Sequence, residues 1–222
     1  ASGVLIGDSV FRGEVKRIYL TDEDRRRHVY MIGQTGTGKS TLLANMIVED
    51  VKHGKGVAMI DPHGDLVEHV LGHIPQNRME DLIYFDPSDI LKPLGLNMLD
   101  YNFDRPEEKT FIVNEMQGIF NKLFPPETMG PMFEQYMRNA LLLLMEDMPN
   151  ERATLIEVPR IFTDQYYRER KLKRIRNPVV VDFWEKEAAK AGGEASLANM
   201  TPYITSKFNN FISNDYLRPI IG

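Results

Sequence analysis

The chain has no cysteine, no surplus of positive charge and no long apolar run, and each shortage removes a class of function. Without thiols there are no disulfides and no thiolate metal sites. The longest purely apolar stretch runs only from Ala140 to Met145. A membrane helix takes about 20 such residues, and the N-terminus lacks the basic flank and apolar core of a signal peptide. These residues therefore encode no membrane contact, and the expected compartment is the cytoplasm. A formal net charge of −5 argues against a protein that coats nucleic acid through its overall charge, although local basic segments can still act.

What is present is an ordinary globular composition, 42% apolar and 27% charged over 222 residues. That is enough for one large domain, or for one domain with an inserted lobe. The first residue is Ala1, and the chain runs out through Arg218-Pro219-Ile220-Ile221-Gly222 without an evident terminator, so it reads as a piece of a longer protein.

Organisation changes along the chain. Residues 4–20 hold short apolar stretches around Gly7 and Gly13, which suggest strands and turns. Three short apolar runs follow: Val29 to Ile32, Val57 to Ile60 and Leu82 to Phe85. Each stops at a polar cluster, and helical patterns separate them, one from Ser40 to His53 ending at Gly54 and one carrying Leu66, Val67, Val70 and Leu71. This rhythm predicts an α/β core with a mostly parallel sheet, in which sites collect at the strand ends.

After Leu99 the helical period takes over. The predicted helices are Pro106 to Phe124, Met132 to Met148, one opened by the capping box Thr154-Leu155-Ile156-Glu157, the basic stretch Arg168 to Arg176, Asp182 to Ala191, and Pro202 to Ile212. Ala191-Gly192-Gly193-Glu194 is the expected flexible loop. The expected division is 1–102 for the N-terminal part of the α/β core, 103–213 for a helical lobe, and 214–222 for a return toward the core.

The first run leads directly into Gly33-Gln34-Thr35-Gly36-Thr37-Gly38-Lys39-Ser40-Thr41, a phosphate-binding loop. The glycines let backbone N–H groups converge on phosphate oxygens, and the following helix N-terminus adds a favourable dipole. Lys39 then neutralises the β and γ oxygens, and the Ser40 hydroxyl takes one position on Mg²⁺. Thr41 either touches the α-phosphate or finishes the turn. A chance match in a chain of this length is about one in a hundred, and the flanking strand and helix reduce that further. ATP with Mg²⁺ is the expected ligand, and Lys39 is expected to be exposed when the loop is empty.

A hydrolytic site of this class also needs an acidic residue at the end of an apolar strand. Asp61, Asp86 and Asp182 each follow such a run, and none is followed directly by Glu. Asp61 is the preferred candidate, against the alternative that Asp61-Pro62 caps a turn into the next helix. Asp86 reads as turn chemistry and Asp182 as a helix cap. His63 reads as a surface turn residue beside Pro62 and Gly64, against the alternative that it senses phosphate or contacts substrate, and His28 reads as structural. The stretch from Arg160 to Arg176 carries seven basic residues against Asp164 and Glu169, with Tyr166 and Tyr167 beside it. Arg168, Lys171 and Arg174 fall on one side of a helix and are candidate DNA contacts. The alternative is a solvated helix face with the tyrosines in the core.

Taken in order, Asp24-Arg25-Arg26-Arg27-His28, Met31 to Thr41, Ile60-Asp61-Pro62-His63-Gly64-Asp65, Tyr84-Phe85-Asp86-Pro87-Ser88-Asp89 and Pro93-Leu94-Gly95-Leu96-Asn97 resemble one family. It is the FtsK/HerA superfamily of DNA-pumping ATPases, closest to the TraG/TraD-like coupling proteins of conjugative type IV secretion. The resemblance implies a RecA-like P-loop core with an inserted all-α lobe near the DNA entrance, and a homo-hexameric ring holding ATP between subunits. It also implies DNA, the secretion channel and relaxosome proteins as partners, with the parent in the cytoplasm or on the cytoplasmic face of the inner membrane. The family's Asp-Glu strand is expected beyond Gly222, so these residues should bind ATP better than they hydrolyse it. Three readings stay open at this point: a DNA motor, a secretion assembly ATPase acting on protein substrates, and a non-hydrolysing nucleotide-binding module.

Overall fold

The computed structural model describes residues 3–188 and 194–222. The chain divides into two compact units, Ala1–Tyr84 and Phe85–Gly222.

The first unit opens with a hairpin. Strands β1 (Gly3–Phe11) and β2 (Glu14–Thr21) pair antiparallel, with Val10 opposite Val15 and Leu5 opposite Tyr19. The two-residue turn Arg12-Gly13 has positive φ at both positions, 51° and 84°, the geometry whose twist matches a hairpin. A bulge between Leu5 and Gly7 shifts the register. At the base of the hairpin Val4 is buried, and the Leu5 N–H donates to Glu49 Oε2 at 3.2 Å. A single turn, α1 (Asp22–Arg25), is capped by the Thr21 hydroxyl, which accepts from the Asp24 N–H. Helix α2 (Lys39–Lys52) ends where the sequence placed its stop, at Gly54 with φ 79°. It buries Ala44, Met46, Asp50 and Val51, while Leu43 of the expected apolar face is exposed. Helix α3 (Asp65–Leu71) buries Val70.

The three apolar runs read as parallel strands are not joined by a ladder among the described residues, where the assigned sheet is the β1–β2 hairpin. Tyr30, Ile32, Ile60 and Ile83 are 80% exposed or more. Runs apolar at every position belong to strands covered on both faces, and unit 1 does not supply that cover.

From Glu108 to Ile212 the described elements of the second unit are helical. They are α4 (Glu108–Leu123), α5 (Pro131–Asp147), α6 (Val158–Thr163), α7 (Gln165–Leu172), α8 (Pro178–Asp182) running into a π-helical turn Phe183–Glu187, and α9 (Glu194–Ile212). Helix α5 starts with proline at its first position, where the missing N–H costs no hydrogen bond. It buries Phe133, Tyr136, Met137, Ala140, Leu141, Leu143, Leu144 and Met145, which marks it as the helix around which the others pack. Phe120 lies 4.9 Å from Phe208 and 5.6 Å from Phe124, and Tyr136 packs edge-on against Phe183 at 5.0 Å, ring to ring.

The capping box forms as the sequence indicates. The Ile156 N–H donates to the Thr154 hydroxyl, and the Thr154 N–H donates to Glu157 Oε2 at 2.6 Å. Other boundaries move. Asn177 rather than Asp182 caps α8, so Val179 to Val181 are helical and Asp182 lies inside the helix, paired with Lys186 at 2.7 Å. Pro202 sits within α9 instead of opening it. Residues 189–193, which hold most of the expected loop Ala191 to Glu194 and the end of the expected Asp182 to Ala191 helix, lie outside the described residues.

The segment 85–102 packs with the helical unit, so the division falls earlier than the expected 102. Leu99 is fully buried, Asn97 Nδ2 donates to the Ala153 carbonyl at 3.0 Å, and the Tyr101 hydroxyl donates to the Met145 carbonyl at 3.1 Å. The last residues join the same unit: Ile220 and Ile221 are buried, and the Leu96 N–H donates to the Ile220 carbonyl. No helix among the described residues is long and apolar enough to cross a membrane.

Candidate functional site

The loop Gly33 to Gly38 is exposed along its whole length and turns on glycines. Gly36 and Gly38 have φ of 82° and 90°, values that side chains rarely allow, and a Cβ on Gly33 would come within 2.6 Å of Thr37 Oγ1. Between them Thr37 closes the turn, its N–H at 3.3 Å and its hydroxyl at 2.8 Å both donating to the Gln34 carbonyl. Helix α2 starts immediately afterward. Its N-cap is Gly38, which has no side chain to satisfy the first N–H groups. Lys39, Ser40 and Thr41 are the first three residues of the helix, so their amides form a positive terminus suited to an anion.

Lys39 is not extended into solvent as expected. It is half-buried, and its ammonium folds back to donate to the carbonyls of Gly33 and Gln34 at 2.6 Å and 2.8 Å. The cation is thus held by oxygens of its own loop. Ser40 and Thr41 are exposed.

Asp61 is engaged locally. Its carboxylate accepts from the His63 N–H at 3.1 Å through Oδ1, and from the Leu66 and Val67 N–H groups at 2.9 Å and 3.4 Å through Oδ2. The latter two are early α3 donors that an N-cap side chain would satisfy, and the residue before that helix is Gly64. These bonds, the one from His63 first, hold the Asp61 carboxyl below its usual range. Asp86 accepts from the Ser88 N–H and hydroxyl, which is turn chemistry.

The basic stretch is arranged differently from a phosphate-facing stripe. Lys171 is fully buried and donates to Asp147 Oδ2 at 2.8 Å; Asp147 is fully buried as well. Arg168 is also buried, donating to the Ile161 carbonyl at 2.8 Å with its guanidinium 5.7 Å from the Trp184 ring. Arg174 reaches Asp147 at 3.4 Å and Glu151 at 3.1 Å, and Arg170 meets Glu151 at 2.7 Å. Helix α7 ends at Leu172, so Arg174 lies beyond it; Lys171 and Arg174 meet Asp147 and Glu151, while Arg168 meets the Ile161 carbonyl and the Trp184 ring. Tyr167 is buried among them and Tyr166 is exposed.

The sequence did not reveal the pairing of Arg25 with Asp50, which are joined by two hydrogen bonds in unit 1. The available signal was an aspartate four residues after Met46, on the buried side of α2.

The loop residues fit a nucleotide phosphate: glycines at the two left-handed positions, an uncapped helix terminus and a lysine held over the turn. Among the described residues no group of three or more His, Asp or Glu side chains could hold a metal ion. Mg²⁺ at such a loop would be held by Ser40, whose hydroxyl is suited to that hard cation. No curated protein and no solved structure matches the chain. The family model described as the central domain of the helicase HerA matches residues 4–124, which include the hairpin, the phosphate loop, Asp61 and Asp86. That span is more than half of the chain, and with the loop geometry it places the protein: the chain belongs to the HerA central-domain family, within the superfamily of P-loop ATPases.

Proposed function

We propose that this chain is the ATP-binding part of a DNA-translocating motor ATPase of conjugation or type IV secretion, of the TraG/TraD-like group. In this reading unit 1 contributes to a RecA-like core whose apolar runs become sheet strands, and the motor assembles as a hexamer. The observation that carries nucleotide binding is the loop itself: Gly36 and Gly38 at left-handed φ, opening an α2 terminus that has no side-chain cap. Its amides and Lys39 hold the phosphates of ATP, and Ser40 ligates Mg²⁺. The metal supplies charge neutralisation at the phosphates. The finer assignment is supported by the ordered blocks Asp61-Pro62-His63-Gly64 and Phe85-Asp86-Pro87-Ser88.

DNA contacts in this reading come from residues other than Arg168 and Lys171, since both are buried. Titration with a fluorescent ATP analogue tests the site. Lys39→Ala should weaken binding at least tenfold, about 1.4 kcal/mol, with the fold retained; equal dissociation constants for both proteins would sink the assignment. DNA-stimulated ATP turnover by the assembled full-length protein tests the motor. Turnover indifferent to DNA, with no DNA bound, would transfer the reading to a secretion ATPase acting on protein substrates.

A further inference from the structure

At the end of α2 opposite the phosphate loop lies a cluster of four charges. Asp50 is 5% exposed and accepts a forked pair of hydrogen bonds from Arg25: Nη1 to Oδ1 at 2.8 Å, and Nη2 to Oδ2. Lys55 Nζ stands 3.3 Å from Asp50 and 2.6 Å from Asp22, and Arg25 lies 3.8 Å from Asp22. The neighbouring Glu49 accepts the N–H of Leu5 from β1. The far end of α2 is thus fastened both to the hairpin and to the turn that precedes the loop.

The positions of the two partners matter. Arg25 is on the chain just before the first apolar run, and Asp50 is near the end of the helix just after the loop, so Gly33 to Ser40 lies in the middle of the interval they close. A helix of this length is a stiff rod, and fixing its far end fixes where its N-terminal amides aim. A forked guanidinium–carboxylate pair restrains direction as well as distance, which a point charge does not.

We propose that Arg25 and Asp50 are positioning residues for the phosphate loop, a clasp that orients the N-terminus of α2 against the incoming chain and so raises nucleotide affinity from outside the site. This rests on the nucleotide-binding reading above. A purely structural pair would affect melting alone, and a well-packed apolar pair can replace a buried ion pair without loss of stability.

The test is the dissociation constant for a fluorescent ATP analogue, measured with Mg²⁺ at a temperature where circular dichroism shows every variant folded. The proteins are wild type, Lys39→Ala, Arg25→Gln, Arg25→Lys, Asp50→Asn and the double variant Arg25→Met/Asp50→Leu. Expected is a loss of at least fivefold for Arg25→Gln and Asp50→Asn, and a smaller loss for Arg25→Lys, which keeps the charge and loses the fork. The apolar double variant should melt near wild type yet bind as weakly as the single variants. Wild-type affinity in the folded single variants, or in the double variant, overturns the clasp. If Lys39→Ala still weakens binding in that case, the nucleotide site stands; if wild type binds no nucleotide, the site and the clasp fall together.

Discussion

In residues 85–222, helix α5 buries apolar side chains on nearly every side, and Phe120, Tyr136 and Trp184 join neighbouring helices into one continuous core. In residues 3–84 the buried apolar residues are scattered single positions, Val4, Ala44, Met46, Val51 and Val70, and Tyr30, Ile32 and Ile60 face solvent. The packed unit uses its charges inside the core, as Lys171 with Asp147. The unit carrying the phosphate loop uses them at its margins, as Arg25 with Asp50. Each fully buried Leu or Phe contributes about 1.5–3 kcal/mol, so the first kind of unit is stabilised mainly by packing and the second depends more on particular polar links. Segments that bind and release ligands come from the less stable parts of proteins, and the exposed glycine loop fits that pattern.

The largest effect should come from breaking the buried pair in the helical unit. Lys171→Met leaves Asp147 in the core with Arg174 at 3.4 Å and the Asn150 amide on its carboxylate, and should destabilise that unit by about 3–5 kcal/mol in urea unfolding. Nucleotide affinity in the protein that stays folded should hardly change. An equal loss of affinity would break the contrast between the units, because it would make the helical core part of the loop's support. Lys39→Ala should do the reverse, lowering affinity with little change in the unfolding midpoint.

A smaller loss tests local capping. Thr154→Ala removes the hydroxyl that accepts the Ile156 N–H and should cost about 1 kcal/mol of stability; an unchanged urea midpoint would show that the turn is held by packing alone.

Lys207 should give a gain. It is 6% exposed, with its ammonium 4.7 Å from the Phe133 ring and 3.3 Å from the Tyr203 carbonyl, and burial holds its pKa below the ordinary 10.5. A lysine with a lowered folded pKa opposes folding while it is protonated. Stability should therefore rise as pH climbs through the folded value toward 10.5. Lys207→Met should add up to about 1 kcal/mol at neutral pH and flatten that alkaline rise. No gain at pH 7 would mean that the aromatic rings compensate fully for the lost hydration.

The smallest expected change is in acid. Arg25, with Lys55 behind it, holds the Asp50 carboxyl below its ordinary 3.8. A group with a depressed folded pKa contributes its stability above the unfolded value and loses it as pH falls through the folded one. The melting difference between wild type and Asp50→Asn should persist from neutral pH down to about 4 and close only below that. A difference that already closes near pH 6 would assign it to a histidine instead.

Much of the site was legible because its determinants are local. Gly36, Gly38 and Lys39 specify a turn and a helix start through their own backbone and side-chain chemistry, and Thr154 with Glu157 does the same for a cap. Asp61 shows the limit: its place before a helix was readable, yet only coordinates showed its oxygens on the Leu66 and Val67 amides. The basic stretch shows it more sharply. Spacing predicted Arg168, Lys171 and Arg174 on one side of a helix, but it could not say that Lys171 and Arg174 would meet the carboxylates of Asp147 and Glu151, or that Arg168 would be buried against the Ile161 carbonyl.

The sequence by itself determined the phosphate loop, the start and end of α2, the capping box and the helical character of the described elements between Glu108 and Ile212. Each follows from interactions spanning a few residues, where propensity and hydrogen-bond geometry decide. Only the tertiary structure decided that Lys171 is buried, that Arg25 reaches Asp50, and that residues 85–102 pack with the helices. Those outcomes depend on partners 24 or more positions away along the chain, as with Lys171 and Asp147, Arg25 and Asp50 or Asn97 and Ala153, and on which surface each partner leaves uncovered.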